Sequence, residues 1–201
     1  LDGRGPLWES FHQDMANLDS TLLHLDEGAF DRSVQALLEA KQRHILGLRG
    51  SAPLAQFLAY NLKGLLPGVR ALTFSPDTIL DEVLDVGPGD VVLAFAMSRA
   101  ALRTLQFVRL ARERGARVIC VVNDHLSSFL EVADEVLWVA TRSRSYTNSL
   151  AAGMSLCHAL LTAVGQRALD QAEARLAEID EILGNNQMFA PGLVDPESFD
   201  A

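Results

Sequence analysis

Cysteine is scarce in this chain of 201 residues: there are two, Cys120 and Cys157. Both lie in apolar stretches with no C-x-x-C pairing and no histidine cluster around them. That argues against a disulfide framework or a thiolate metal site and points to small buried residues in a reducing compartment. Positive charge is scarce too. Lys and Arg number 17 against 26 Asp and Glu, giving a net charge of −9 and a pI near 4.9. Phosphate backbones are held by clustered Lys and Arg, so any contact with DNA has to come from another segment. No signal peptide opens the chain, which starts at Leu1 rather than Met, and the expectation is a cytoplasmic fragment with a domain upstream. Formal charge is missing from Tyr146 to Gly165, a run long enough to raise the question of a membrane span. Asn148, Ser149, Ser155, His158 and Thr162 interrupt it and no positively charged flank is evident, so it reads as a helix buried between subunits or under a sheet.

What is present is 49% hydrophobic and 21% charged residues, enough to bury one sizeable core. The stretch Arg43 to Ala55 reads as a buried strand, centred on His44 to Leu48, that runs through a glycine-containing turn straight into a helix. Gly47 and Gly50 can take backbone conformations that other residues resist, Ser51 can cap the helix, and Pro53 fits its first turn. A helix start presents free N–H groups with the dipole behind them, an arrangement that favours a phosphate or carboxylate. The same glycines also suit any strand-to-helix turn in an α/β protein.

The rest of the chain repeats this rhythm. An amphipathic arm covers residues 6 to 24, with Leu7, Trp8, Phe11, Met15, Leu18, Leu22 and Leu23 at helical spacing, and a second helix runs from Ala29 to Gln42. After the helix from Pro53 to Leu66, strands are expected at Val69 to Phe74, Val91 to Ala96, Arg117 to Val122 and Glu135 to Ala140. Helices are expected at 76–86, at Ala100 to Arg114 with Gly115 as its C-terminal cap, at Phe129 to Ala133, within the uncharged run, and at Gln166 to Leu183. Strands alternating with helices imply a three-layer, doubly wound, five-stranded parallel α/β sheet with flanking N- and C-terminal helices. Ligands of such sheets sit beyond the carboxyl ends of the strands, where strand order reverses. The organisation reads as an arm over residues 1–28, a domain over 29–185 and a tail over 186–201. Nothing calls for a metal or a cofactor.

The segments Gly47-Leu-Arg-Gly-Ser51, Gly89-Asp-Val-Val-Leu93, Ala111 to Ile119 and Ser127 to Asp134 resemble the sugar isomerase (SIS) domain, in particular the effector domain of RpiR-type transcriptional regulators. The likeness spans roughly residues 15 to 185. The entry Asn17-Leu-Asp-Ser-Thr-Leu22 is similar to the helix that links an N-terminal helix-turn-helix domain to the SIS domain in those regulators. The resemblance implies the flavodoxin-like SIS fold, a homo-oligomer (dimer or tetramer), and DNA contact only through that N-terminal domain, with no membrane partner. It also implies a phosphate site built from a G-x-G-x-S turn after the first strand and an S-x-S-G-x-T loop after the third.

In this chain Gly47 and Ser51 match the first pattern, with Arg49 standing at its second Gly. Only Ser98 matches the second: Ala96 and Ala101 replace a Ser and the Thr, and Arg99 replaces the Gly. Two lost hydroxyls remove two donors, each worth roughly 1.5–3 kcal/mol against a charged oxygen. Arg99 can compensate with a planar fork of donors and a permanent charge. The candidate ligand-binding residues are therefore Gly47, Arg49, Gly50, Ser51, Ala52, Ser98, Arg99, Asn123 and Ser127, facing a small anionic metabolite such as a sugar phosphate. Arg49 reads equally as an exposed turn charge, and Arg99 as a surface cap or ion-pair partner.

No catalytic residue is assigned. His125 could titrate near neutrality but has no second acid or base tied to it by spacing, and no convincing base stands out among Glu39, Glu82 and Glu131. Trp138 is most simply core and Trp8 an interface anchor. The functional classes are a ligand-sensing, dimerising regulator domain, a sugar-phosphate isomerase, and a degenerate scaffold that binds no sugar. The first is favoured by the linker-like arm and the eroded phosphate loop.

Overall fold

Alternate residues along each strand face two different cores, and that alternation builds the sheet. The structure, a computed structural model, describes residues 5–73, 78–97, 102–123 and 127–185. Along the chain they form α1 (Pro6–His24), α2 (Glu27–Glu39), β1 (Arg43–Leu46), a 3-10 turn (Arg49–Ser51), α3 (Ala52–Leu65), β2 (Val69–Leu72), a second 3-10 segment (Asp81–Asp85) and β3 (Val91–Ala96). Then follow α4 (Leu102–Glu113), β4 (Arg117–Val122), α5 (Ser127–Leu130), β5 (Glu135–Trp138), α6 (Ala151–Arg167) and α7 (Leu169–Asn185). All strand pairs are parallel, in the order β2-β1-β3-β4-β5. The doubly wound α/β expectation holds.

On one face Ile45, Leu93, Phe95, Ile119, Val121 and Leu137 pack against α2, α3 and α6. On the other, Leu46, Val92, Ala94, Val118, Cys120 and Val122 meet Ile79, Val83 and the Phe107, Val108 and Ala111 face of α4. Covering both faces is what lets the central strands be continuously apolar. The uncharged run is α6, buried through Leu156, Cys157, Leu160 and Val164 under the sheet, and no helix among the described residues is long and apolar enough to cross a membrane. Gly153 lets α6 approach α3 closely, since a Cβ there would lie 2.8 Å from Leu54 Cδ1. Both cysteines are buried and free, and burial pushes each thiol up to about 12. Gly115, at φ +88°, ends α4 as expected.

Several boundaries differ from the sequence reading. The first strand ends at Leu46 rather than Leu48, because Gly47 already turns the chain, and β2 and β5 stop at Leu72 and Trp138. The helix expected over 76–86 is a 3-10 segment over Asp81–Asp85, and the short helix near Phe129 begins at Ser127. α2 starts at Glu27 because the Asp26 carboxylate accepts hydrogen bonds from the Gly28 and Ala29 amides, at 2.8 and 3.1 Å, capping it earlier. Trp138 is only partly buried, its indole edge-on to His24 at 5.4 Å.

The arm docks through its polar face. Its polar residues are the ones docked: Asn17 and Thr21 are buried, Asn17 Nδ2 donates to the Arg142 carbonyl at 2.7 Å, and the Ala140 amide donates to Thr21 Oγ1 at 2.9 Å. The Ser149 hydroxyl donates to the Asp14 carboxylate as a third tie. Its apolar stripe faces outward, with Leu7, Phe11 and Leu22 exposed at 75%, 66% and 80%.

At the amino edge of the sheet His44 is fully enclosed. Neither ring nitrogen has a hydrogen-bond partner among the described residues, and Nε2 stands 3.7 Å from the Asp90 carboxylate, too far for a hydrogen bond. Burial lowers the pKa of His44 below its ordinary value, opposed by the charge of Asp90 and reinforced by Arg70. Arg70 itself pairs with Glu82 and Asp85. Below pH ~6.5 an unfolded chain takes up this proton while the folded chain resists it, so native stability falls as pH drops towards the folded pKa. Urea midpoints should therefore decline between pH 7 and pH 5, and His44→Leu should flatten that decline relative to wild type. Parallel curves for the two proteins would contradict it.

Candidate functional site

Strand order reverses between β1 and β3, since β2 lies on one side of β1 and the chain then returns to its other side. The turn leaving β1 therefore borders the crevice at the carboxyl edge. Gly47 is required there by contact rather than by dihedral angle. A Cβ on it would sit 2.6 Å from the Ala55 Cβ and 2.6 Å from the Ser51 carbonyl oxygen, so its missing side chain lets the first turn of α3 fold back over the strand end. The Gly47 amide meanwhile donates to the Leu72 carbonyl of β2 at 3.1 Å.

Two details of the turn depart from expectation. The residue with a left-handed backbone is Arg49, at φ +55°, and neither Gly47 nor Gly50 has a positive φ. Such a conformation costs a non-glycine residue roughly 1–2 kcal/mol, and it leaves Arg49 exposed with no ion pair among the described residues. Ser51 is buried and makes no side-chain capping bond to α3. Its backbone is already helical, at φ −90° and ψ −9°, whereas a capping side chain needs an extended residue to reach the next amides.

Gly47, Arg49, Gly50, Ser51 and Ala52 thus form one continuous turn at the end of β1. Asn123, at the end of β4, lies two strands away, about 10 Å across the sheet. It is committed elsewhere, because its Nδ2 donates to Thr141 Oγ1 at 2.6 Å, beyond the end of β5. Ser98, Arg99, Ala101 and His125 lie outside the described residues, as does the 186–201 tail; Ser127 opens α5.

A cavity of about 750 Å³ opens beside Asn123, and the sequence reading missed it. Gln13, Asn17 and Ser20 of α1 form one wall; Thr141, Arg142 and Arg144 belong to the segment opposite. A signal was available. Thr141 to Ser149 reads T-R-S-R-S-Y-T-N-S, rich in hydroxyls and arginine, directly after the fifth strand and hence at the carboxyl edge. What sequence could not show was that the arm returns to face it. The described lining of the cavity holds amides, hydroxyls and two guanidinium groups, with no carboxylate and no imidazole among those residues. The carboxylates considered as bases stand at the other end of the sheet: Glu39 ends α2 just before β1, Glu82 pairs with Arg70 ahead of β3, and Glu131 precedes β5. Among the described residues no group of three His, Cys, Asp or Glu could hold a metal ion.

The family model of the SIS domain matches residues 36–163. Among curated proteins, the HTH-type transcriptional regulator HexR of Pseudomonas aeruginosa is 28% identical over 116 residues, 54% of this chain and 38% of that protein. The HTH-type transcriptional regulator RpiR of Escherichia coli is 24% identical over 178 residues, 86% of this chain and 57% of that protein. The chain thus spans between about two-fifths and three-fifths of the length of these relatives. Among solved structures, the sugar isomerase domain of an RpiR transcription factor from Sphaerobacter thermophilus superposes with a TM-score of 0.78 at 27% identity, covering 86% of this chain and 97% of that one. Vibrio vulnificus NanR complexed with ManNAc-6P gives a TM-score of 0.77 at 18% identity, covering 94% and 71%. A phosphoheptose isomerase from Francisella tularensis gives 0.66 at 18%, covering 78% and 94%. The last two likenesses speak for the fold alone. With a family match over more than half its length and the five-stranded parallel sheet of these neighbours, the chain belongs to the SIS domain family.

Proposed function

We propose that this chain is the effector-sensing and dimerising part of an RpiR-type transcriptional regulator that responds to a sugar phosphate or related anionic metabolite. DNA is contacted through a domain outside this segment, in keeping with its net charge of −9. One observation carries the reading. The β1 turn and the described lining of the cavity offer hydroxyls, amides and guanidinium groups but no carboxylate or imidazole. Such a set can hold an anion bearing hydroxyls, whereas an isomerase needs a positioned base to move a proton between carbons. Regulators among the curated relatives support it, while the fold is shared with isomerases and cannot choose.

A thermal-shift screen of sugar phosphates on this domain, run beside an isomerase assay on the same compounds, tests it. At about a hundred times its Kd a ligand specific to the folded state adds ~2.7 kcal/mol, which for a domain of this size raises Tm by about 5–10 °C. The expected result is such a rise without turnover, weakened in Ser51→Ala. Turnover would establish the isomerase, and a silent panel the degenerate scaffold.

Dimerisation is inferred from α1, whose polar face is spent on its own domain while Leu7, Phe11, Met15, Leu18 and Leu22 form an outward stripe. Their spacing is nearly palindromic about Met15, as a two-fold antiparallel pairing of two copies of α1 requires. Equilibrium sedimentation should show a dimer or larger species at micromolar concentration, shifted to monomer by Phe11→Glu with Leu22→Glu. A monomeric wild type would rule it out.

A further inference from the structure

We propose that the cavity between α1 and the 139–148 segment is a second binding site, for a small anion that also carries hydroxyl groups, seated on Arg142 and Arg144 and contacted by Gln13 and Ser20 of α1. It is separate from the crevice at the β1 turn. β1 and β5 are three strands apart, about 14 Å across the sheet, and the cavity lies at the β4 and β5 end.

Three independent features point to this ligand. At about 750 Å³ the cavity lies within the size range that small-molecule sites occupy. Next, Arg142 and Arg144 carry no ion pair among the described residues, although the chain has nine more acidic than basic groups and Arg32, Arg70, Arg112, Arg117 and Arg167 all pair with carboxylates. Two exposed guanidinium groups facing a cavity with no acidic residue among its described lining residues make a local positive field, and their planar donor forks match a phosphate or carboxylate. Finally, the wall opposite is polar. The half-buried amide of Gln13 and hydroxyl of Ser20 can donate to or accept from hydroxyl groups, which an anion such as chloride lacks.

The location gives occupancy a mechanical consequence. α1 is held to the 139–149 segment by the Asp14–Ser149, Asn17–Arg142 carbonyl and Thr21–Ala140 amide bonds. A ligand that touches Gln13 or Ser20 as well as Arg142 adds a fourth tie, so binding braces the arm against its domain. An arm continuous with an upstream segment would carry that change outward.

The chain has two tryptophans, and Trp138 lines this cavity while Trp8 lies outside its lining, so intrinsic fluorescence can read occupancy. Trp8→Phe leaves Trp138 as the sole tryptophan. This protein is titrated with ManNAc-6P, glucose 6-phosphate, inorganic phosphate and uncharged glucose, with hydrogen exchange of α1 followed in parallel. The expected result is a saturable change in Trp138 emission with at least one sugar phosphate, weaker with inorganic phosphate and absent with glucose, together with slower exchange across α1. Arg142→Ala with Arg144→Ala, both at exposed positions, should weaken it at least about tenfold, while Ser51→Ala leaves it unchanged. A response that survives the double arginine variant, or no Trp138 response to any probe at millimolar concentration, overturns the proposal. The sensor reading stands or falls separately: a rise in Tm that depends on Ser51 while Trp138 stays silent refutes this site and keeps the crevice.

Discussion

Gly47→Ala is expected to destabilise the domain by about 3 kcal/mol, and Gly50→Ala by less than ~1 kcal/mol, although the two glycines stand three residues apart in one turn. At Gly47 the new methyl would approach the Ala55 Cβ and the Ser51 carbonyl oxygen to 2.6 Å, and one of those atoms is backbone that cannot rotate away. The first turn of α3 would have to lift off the end of β1, disturbing the packing of Leu54, Ala55 and Leu58 in the core below. At Gly50 a Cβ meets nothing within 4 Å, and the backbone does not have a positive φ. Urea unfolding of the two variants against wild type, read by far-UV dichroism with a common slope, gives both numbers. Equal costs would mean that the turn adapts and that the glycine is there for another reason. Because the same turn borders the crevice, Gly47→Ala should also blunt any Ser51-dependent thermal shift.

Arg43→Met should cost about 2–4 kcal/mol. This arginine opens β1 yet is 3% exposed, and its side chain turns back to donate to three carbonyls: Nε to Leu37 at 2.6 Å, Nη1 to Pro67 at 2.8 Å and Nη2 to Leu38 at 2.9 Å. It thereby ties the last turn of α2 to the turn after α3. Burial lowers its pKa, but a guanidinium remains charged at any ordinary pH. Removing it leaves the buried Leu37 carbonyl without that donor, while the partly covered carbonyls of Leu38 and Pro67 regain some water, so the loss falls short of three full bonds. Arg43→Lys should rescue little of it, since one ammonium cannot reach three carbonyls spread along a planar fork. Urea unfolding of both variants checks this. A lysine variant as stable as wild type would show that charge alone, rather than the fork, holds the two turns together.

Much of the architecture was legible in the residues. The continuous apolar run Val91 to Ala96 could only be a strand buried on both faces, Gly115 had to end a helix, and the regular return of strand and helix signals forced a parallel sheet. The site was legible only in part. Position at the carboxyl edge follows from topology, so the turn from Gly47 to Ala52 was correctly located on the sheet, yet the backbone role of its glycines and the capping role of Ser51 were misread. Propensity assigns left-handed backbone to glycine and capping to serine, while here the left-handed residue is Arg49 and Ser51 caps nothing. Local preferences of about 1 kcal/mol are easily overruled by the packing of α3 on the sheet.

The cavity beside α1 was invisible for a different reason. Its walls lie more than a hundred residues apart, and nothing local in Gln13, Asn17 or Ser20 says what they will face. The arm shows the same limit. Periodicity identified an amphipathic helix over residues 6 to 24 to the residue, with Trp8 as an interface anchor, but not which of its polar residues would dock on the domain. The fold buries the face opposite the apolar stripe, because the Ala140 amide and the Arg142 carbonyl, covered by the arm, need hydrogen-bond partners that Thr21 and Asn17 supply and that leucines cannot.

The sequence by itself therefore determined the class of fold and the order of its elements, and with them which turns stand at the carboxyl edge of the sheet, because those follow from the periods of helix and strand and from the handedness of their connections. Tertiary structure alone decided which face of the arm docks, which arginines have no ion pair among the described residues, and which distant polar groups meet around a cavity. Those are outcomes of long-range competition among hydrogen bonds and charges, and no window of neighbouring residues contains them.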